Sequence, residues 1–517
     1  MNFDQYGNPV DSARSLSVVK EALAKAMDPG QLAKATFAQS GSATSGLTAY
    51  SLEAPAKLLM PVITPLRNKL SRATGGAGIQ ANWRAITGID TSNIGVGVGE
   101  GRRGGVQAVT TADYFAQFRT LGIEGDVTFE AQLAAQGFDD AKARAVQSNL
   151  RALMIGEEKV ILGGLGTFGL GKAPTPTLAT AASGGTIAQA TTVYVRVVAL
   201  TLEGYMHGAA QSLATGIRAE VSRTNADGTS QAFGGGSSQA SDAASQATAG
   251  SGGSVHVVSA SVAPVKGAVA YAWYAGSTDG TAANLKLHAI TTINSTVITA
   301  LPAGGNQALP ADLVSNDRSQ NALVHDGFMS MVAKSGSGAL WHNLATGTAG
   351  TGTPLTSDNA GGIVEIDYVL RWYWDNLKIS PSEIWVNARE LGSMRAKATT
   401  GASTSMQRFT YMAAQDGIRA GGMIRGYINQ YSMDGAQEIP IKLHPNVPPG
   451  TILFLTHEIP YPLSGVGEVN RVLCRQDYYQ MEWPLRTRSY EYGVYTDQVL
   501  QCYFLPGQAV ISNIAAG

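Results

Sequence analysis

The chain has 517 residues, 44% hydrophobic and only 15% charged, with 61 glycines and a formal net charge of −1. That length allows two or three domains with a sizeable core. The near-neutral balance argues against a dedicated nucleic-acid binder, which carries a basic patch or tail.

The N-terminal MNFDQYGNPVDSARS lacks a basic segment followed by an apolar one, so no secretory signal is expected. No run approaches the roughly 18 consecutive apolar residues of a membrane helix, so a soluble protein made in the cytoplasm is expected, with no membrane partner. Residues 13–27 read as an amphipathic helix stopped by Asp28, Pro29 and Gly30. Residues 38–50, small and Gly-spaced, read as an extended arm. Across 51–78, Pro55, Pro61 and Pro65 forbid one continuous helix and favour extended segments. A strand follows at 81–89.

Residues 88–125 hold a Gly-rich tip, GVGVGEGRRGG, between strand-like flanks. A long two-stranded loop cannot bury a core by itself, so it is expected to lie on a neighbouring subunit. Arg102 and Arg103 at the tip, with Glu100, are candidates for that contact, the guanidinium groups pairing with carboxylates across it. Asp139 or Asp140 is placed to cap a helix over about 140–162. Val146, Leu150, Leu153, Met154, Glu157 and Ile161 recur there at helical spacing, and Gly163–Gly164 ends it.

Residues 165–318 change character. Only eleven charged side chains occur between positions 173 and 314. TTVYVRVVALT, SVHVVSASV, AVAYAWYAG, LKLHAITTI and STVITAL alternate with period two, and short strands with turn punctuation predict an inserted β-sandwich. Mixed α/β character returns from 322. Ile363, Ile366, Leu370, Tyr373 and Leu377 form a core-facing helical stripe. SEIWVN is a strand whose Asn387 can cap the next helix, and IPIKL, TILFL and an aromatic terminal run supply further strands.

Chemistry finds little support. GTFGLGKA (166–173) has Walker-type glycines and Lys172, yet Ala173 stands where a hydroxyl should reach magnesium, and no helix can open at APTPT. GVGVGEG lacks the third glycine of a dinucleotide fingerprint. The seven histidines show no metal spacing, and Cys474 and Cys502 in apolar runs give buried thiols rather than a disulfide framework or zinc site. Neither an enzyme nor any cofactor or metal is expected. Adjacent Glu157 and Glu158 diverge by about 100° on a helix, so they read as interface charges rather than an acid/base pair.

Taken in order, the arm, MPVITPLRNKLSR leading to NWRAITGI, the extended loop, the helix ending GEEKVILGG and the terminal DYYQMEWPLRTRSYEYGVYTDQVLQCYFLPGQAVISNI resemble the major capsid proteins of tailed bacteriophages. That fold is shared with the herpesvirus capsid floor and encapsulins. The resemblance covers about two-thirds of the chain, the insert having no counterpart. It implies an α+β subunit: arm and lead-in to a peripheral domain (1–78), extended loop (79–127), spine helix (128–164), an inserted immunoglobulin- or fibronectin-like β-sandwich (165–318), axial domain (319–460) and return strands of the peripheral domain (461–517).

Such subunits self-assemble into pentamers and hexamers of an icosahedral virion shell in the host cytoplasm. The resemblance implies, as partners, other copies of the chain, a separate scaffolding protein, a portal protein, a decoration protein, and packaged double-stranded DNA bound nonspecifically. Arg67, Lys69, Glu100, Arg102, Arg103, Glu157, Glu158, Trp483, Arg486 and Arg488 are the expected intersubunit contacts. Some relatives cross-link through a lysine in the extended loop; residues 88–125 contain none, so noncovalent contacts are expected to hold the shell. The insert is expected to brace neighbours rather than bind glycans. An encapsulin-like compartment and a β-sandwich adhesin are the rival readings.

Overall fold

The structure, a computed structural model, describes residues 57, 59–89, 97–136, 139–399, 424–433, 435, 437–461 and 464–517, with short strand pieces at 2–3, 9–10, 412–414 and 417–419. The predicted helix at 13–27, the arm at 38–50 and residues 90–96 of the loop lie outside the described residues. The chain divides into two compact units. One comprises Met1–Ile63, Gly122–Ile155 and Gln480–Val494; the other comprises Thr64–Leu121, Gly156–Tyr479 and Tyr495–Gly517.

In the smaller unit, a short helix, Phe129–Ala134, is capped by Thr128, whose side chain accepts from Ala131 N. The long helix Ala141–Gly163 begins as the sequence predicts. Asp140 Oδ1 accepts from Ala143 N at 3.1 Å, satisfying one of the orphan donors of the first turn. The helix is 23 residues long, about 35 Å at ~1.5 Å per residue.

The larger unit contains most of the β structure. Residues Thr192–Leu200 and Ala270–Gly276 are central in a four-stranded antiparallel sheet, flanked by Ala244–Ala247 and Lys286–Thr291. Facing it is a three-stranded sheet in the order Ser295–Ile298, Val257–Ser261, Thr177–Ala181. Alternation fills the space between them with Val193, Val195, Val197, Val258, Ala260, Trp273 and Ile298, all fully buried. The strand distribution is not that of an immunoglobulin domain, which keeps its first, second, fourth and fifth strands together. Here, setting aside the separate hairpin Glu220–Thr224/Ser230–Gly234, the second, third, fifth and sixth strands share one sheet.

The other face of the four-stranded sheet is also buried. Val198, Leu200, Ala272, Tyr274, Leu285 and Leu287 join one continuous core with Leu66, Ile161, Leu162, Phe328, Met329, Trp385, Leu453 and Val510. Residues 165–318 are therefore a sandwich covered on both sides of one sheet, not a free-standing module.

A six-stranded sheet runs in the order Leu340–Asn343, Ala509–Ser512, Ile452–Leu455, Glu383–Val386, Gln437–Leu443, Gly426–Asn429. Helix Val364–Leu377 lays Ile366, Val369, Leu370 and Tyr373 on it. Asn387 Oδ1 accepts from Arg389 N and Glu390 N at 2.7 and 3.3 Å, the predicted cap of helix Ala388–Thr399. The terminal strand Ala509–Ser512, expected among return strands, instead pairs on both sides inside this sheet because all four residues are apolar or small and fully covered.

Pro65 also departs from expectation. It is the first residue of a short helix, Pro65–Lys69, a position where its missing N–H costs nothing.

Candidate functional site

Gln80–Ile89 and Val109–Gln117 form an antiparallel ribbon, paired from Gln80 with Gln117 to Ile89 with Val109, with a register shift between Ile86 and Gly88. Among the described residues it is a sheet of two strands. The extended loop thus closes at Gln117, and Arg119–Thr128 belongs to another sheet. One face is anchored. Trp83 stacks on Tyr114 and meets Tyr503 edge-on, with centroids 6.0 and 5.8 Å apart. Ala81, Phe118 and Val499 make a small buried cluster at the root.

The opposite face is not covered by the described residues. There Asn82, Arg84 and Ile86 stand across from Phe115, Asp113 and Thr111. Ile86 and Phe115 are 68% and 59% exposed. Between them Arg84 donates Nε and Nη2 to Asp113 at 2.6 and 2.9 Å, an exposed bidentate pair. Ile89, Val98, Val106 and Val109 continue the apolar exposure toward the tip. At the tip Gly101 takes φ +73°, a left-handed conformation that suits glycine, and Arg102 N donates to Gly99 O. Glu100, Arg102 and Arg103 are exposed.

The other predicted charges divide. Glu157 and Glu158 are fully buried within the chain, so they cannot face a neighbour. Buried carboxylates need several donors to offset desolvation, and both have them. Glu158 accepts from Leu66 N at 2.9 Å, Arg67 N at 2.7 Å and His444 Nε2 at 2.6 Å. Asn446 N donates to His444 Nδ1, which puts the imidazole proton on Nε2. Glu158 thereby caps the helix Pro65–Lys69, whose own Thr64 offers no side-chain cap.

Glu157 takes Arg67 Nε, Arg72 Nη1, Gln498 Nε2 and the Tyr478 hydroxyl. Arg72 also donates to Asp477, Thr496 and Gln498 and lies 4.5 Å over the Tyr478 ring. Burial pushes the Asp477 carboxyl up, but the Arg72 guanidinium overrides it and holds the group below the ordinary carboxylate range.

Lys69, expected at an interface, pairs with buried Glu383, which also accepts from Lys442 and Trp385 Nε1. Burial, then the charge of Lys442, lowers the Lys69 pKa to about 8. Arg67 is likewise spent on internal partners. Arg488 is exposed and pairs with exposed Glu130 at 2.8 Å, Arg486 is exposed, and Trp483 is half-buried. In the smaller unit Phe129, Leu485, Thr487, Arg488, Ser489 and Tyr490 line an open cavity of about 290 Å³.

The Walker-like stretch does not offer its amides to a phosphate. Gly166 N and Thr167 N donate to Asp326 Oδ1 at 2.8 and 3.0 Å, Gly171 N to Asp317 at 2.7 Å and Leu170 N to Ser319 at 2.7 Å. Lys172 pairs with Asp242. The chain's own side chains, Asp326, Asp317 and Ser319, already accept from these amides. Among the described residues no group of three or more His, Cys, Asp or Glu is placed to hold a metal, and no helix is long and apolar enough to cross a membrane.

Sequence reasoning missed Ile86 and Phe115 as surface residues, because which face of a ribbon is anchored depends on the distant Tyr503. It also missed Arg72, His444 and Asp477 as partners of the glutamates, which no local pattern announces.

No protein-family model and no curated protein matches the chain. Among solved structures, the chain is similar to the capsid of a native GTA particle, with TM-score 0.39 and 8% identity over 92% of this chain and 98% of that one. It is similar to the capsid of cyanophage A-1(L), with TM-score 0.38 and 12% identity over 90% and 96%. It is also similar to the holo-SrpI encapsulin of Synechococcus elongatus PCC 7942, with TM-score 0.37 and 8% identity over 90% and 93%.

Proposed function

We propose that the protein is a structural shell subunit, a major capsid protein of a tailed bacteriophage, assembling noncovalently into pentamers and hexamers around double-stranded DNA. The carrying observation is the two-stranded ribbon, one face of which leaves Ile86 and Phe115 exposed about the Arg84–Asp113 pair. A ribbon of this kind is marginal in water, and Ile86 and Phe115, exposed on either side of the Arg84–Asp113 pair, give a neighbouring copy apolar and charged groups to meet. The tip residues Glu100, Arg102 and Arg103 extend that contact. Scaffolding, portal and decoration proteins are the partners such an assembly calls for, and DNA would meet its inner face without sequence preference. The residues 165–318 sandwich serves to stiffen the subunit.

Expression together with the neighbouring structural genes, followed by sedimentation and nuclease digestion, tests the reading. A fast fraction holding nuclease-protected DNA supports it. Particles that enclose protein cargo and no nucleic acid would favour a compartment shell, and a slow monomer would refute assembly altogether.

A further inference from the structure

Where residues 165–318 rejoin the chain, backbone packs directly on backbone. Gly327 N donates to Gly164 O at 2.8 Å and Asn321 N to Leu165 O at 2.9 Å. A Cβ on Gly164 would lie 2.5 Å from His325 O, and one on Gly166 2.1 Å from Val324 O. The seam has no slack.

Inside it sits His325, 3% exposed. Its Nδ1 meets the Asp326 carbonyl oxygen at 3.0 Å. A carbonyl only accepts, so Nδ1 carries the proton and Nε2 keeps a lone pair. That Nε2 is buried with no hydrogen-bond partner among the described residues. The charged groups facing the ring are Glu157 on the long helix and Asp326 on its own segment, with Lys334 reaching Asp326 at 3.9 Å. Glu157 already accepts four donors, and Asp326 already holds Gly166 and Thr167.

We propose that His325 is an acid-sensitive latch: neutral, it lets residues 321–327 seat on residues 160–167, and protonation at Nε2 unseats them. An added proton would bury a charged donor with no acceptor free to take it.

The direction is fixed by linkage. Burial holds the folded imidazole below 6.5, while the opened one titrates near its ordinary value. The opened state therefore binds more protons, so the closed seam is fully stable above about pH 6.5 and weakens as pH falls. Between neutrality and pH 5 the opening constant rises by at most about 30-fold, the ratio set by ~1.5 pH units. The latch acts within one subunit, so its failure would leave the shell reading untouched.

Hydrogen exchange on the full-length protein, corrected for intrinsic pH dependence, reads it directly. Peptides covering 160–170 and 318–330 should lose protection toward that ~30-fold limit by pH 5 in the wild type. His325→Gln, which keeps an N–H for the Asp326 carbonyl, and His325→Phe should show no such loss. Equal losses in wild type and variants would overturn the proposal. So would a wild-type loss of the same size in a segment without a histidine, such as Thr192–Leu200; that measurement needs no variant to fold.

Discussion

Truncating the uncovered face of the ribbon, Ile86→Ala with Phe115→Ala, separates contact from fold. A phenylalanine side chain buries roughly 200 Å² when covered. With 59% of Phe115 exposed, about 120 Å² remains for a neighbour to cover, about 3 kcal/mol at ~25 cal/mol per Å². Ile86, 68% exposed, adds about 1.5 kcal/mol, two-thirds of the roughly 2 kcal/mol gained by fully burying such a side chain. Some of this returns to the remaining Cβ atoms, so about 3–4 kcal/mol is lost per contact. At ~1.4 kcal/mol per tenfold, the concentration needed for assembly should rise by two to three orders of magnitude. Light scattering against concentration reads that shift. The subunit's own melting should hardly move, since exposed positions typically change stability by less than about 0.5 kcal/mol and the Arg84–Asp113 pair keeps the ribbon in register. Assembly at the wild-type concentration would refute the contact. A large drop in subunit melting would show that the face is structural instead.

Glu158→Ala strands Leu66 N, Arg67 N and His444 Nε2 without their buried acceptor, and should cost about 3–5 kcal/mol in denaturant unfolding; less than 1 kcal/mol would mean the clamp contributes little. Asp477 is held below its ordinary value by Arg72, so its contribution is present above about pH 4 and is lost as pH falls through the folded value; Asp477→Asn should remove that part of the acid transition, and an unchanged profile would contradict the pairing. Replacing residues 173–314 with a short linker should give insoluble subunits, because Ile161, Leu162, Phe328 and Met329 would lose the sheet face they pack against. A soluble, folded deletion product would show that the sandwich is dispensable.

Local patterns carried much of the architecture. The long helix, its Asp140 cap and the Asn387 cap were legible because capping chemistry acts within three residues. The stripe from Ile363 to Tyr373 was legible because period 3.6 encodes one face. The β character of residues 165–318 was visible in alternation, but alternation marks only one face per strand. It could not reveal that Leu200, Tyr274 and Leu287 on the second face would join the subunit's main core. Nor could it fix strand order, which pairings across many tens of residues decide.

Of the expected contacts, Glu100, Arg102, Arg103, Arg486 and Arg488 lie exposed, the first three at a glycine-rich tip. Glu157 and Glu158 were read as surface charge because two adjacent carboxylates usually are. Their donors come from residues 66, 67, 72, 444, 478 and 498, distances along the chain that no motif spans. Pro55, Pro61 and Pro65 signalled a break, yet only the backbone shows that Pro65 opens a helix turn.

Electron microscopy of the fast-sedimenting fraction, taken to a map that resolves side chains, tests the central claim most directly. The account predicts closed icosahedral shells in which Ile86 and Phe115 of each ribbon are covered by an adjacent copy. Discrete monomers, or shells in which that face of the ribbon remains open to solvent, would contradict it.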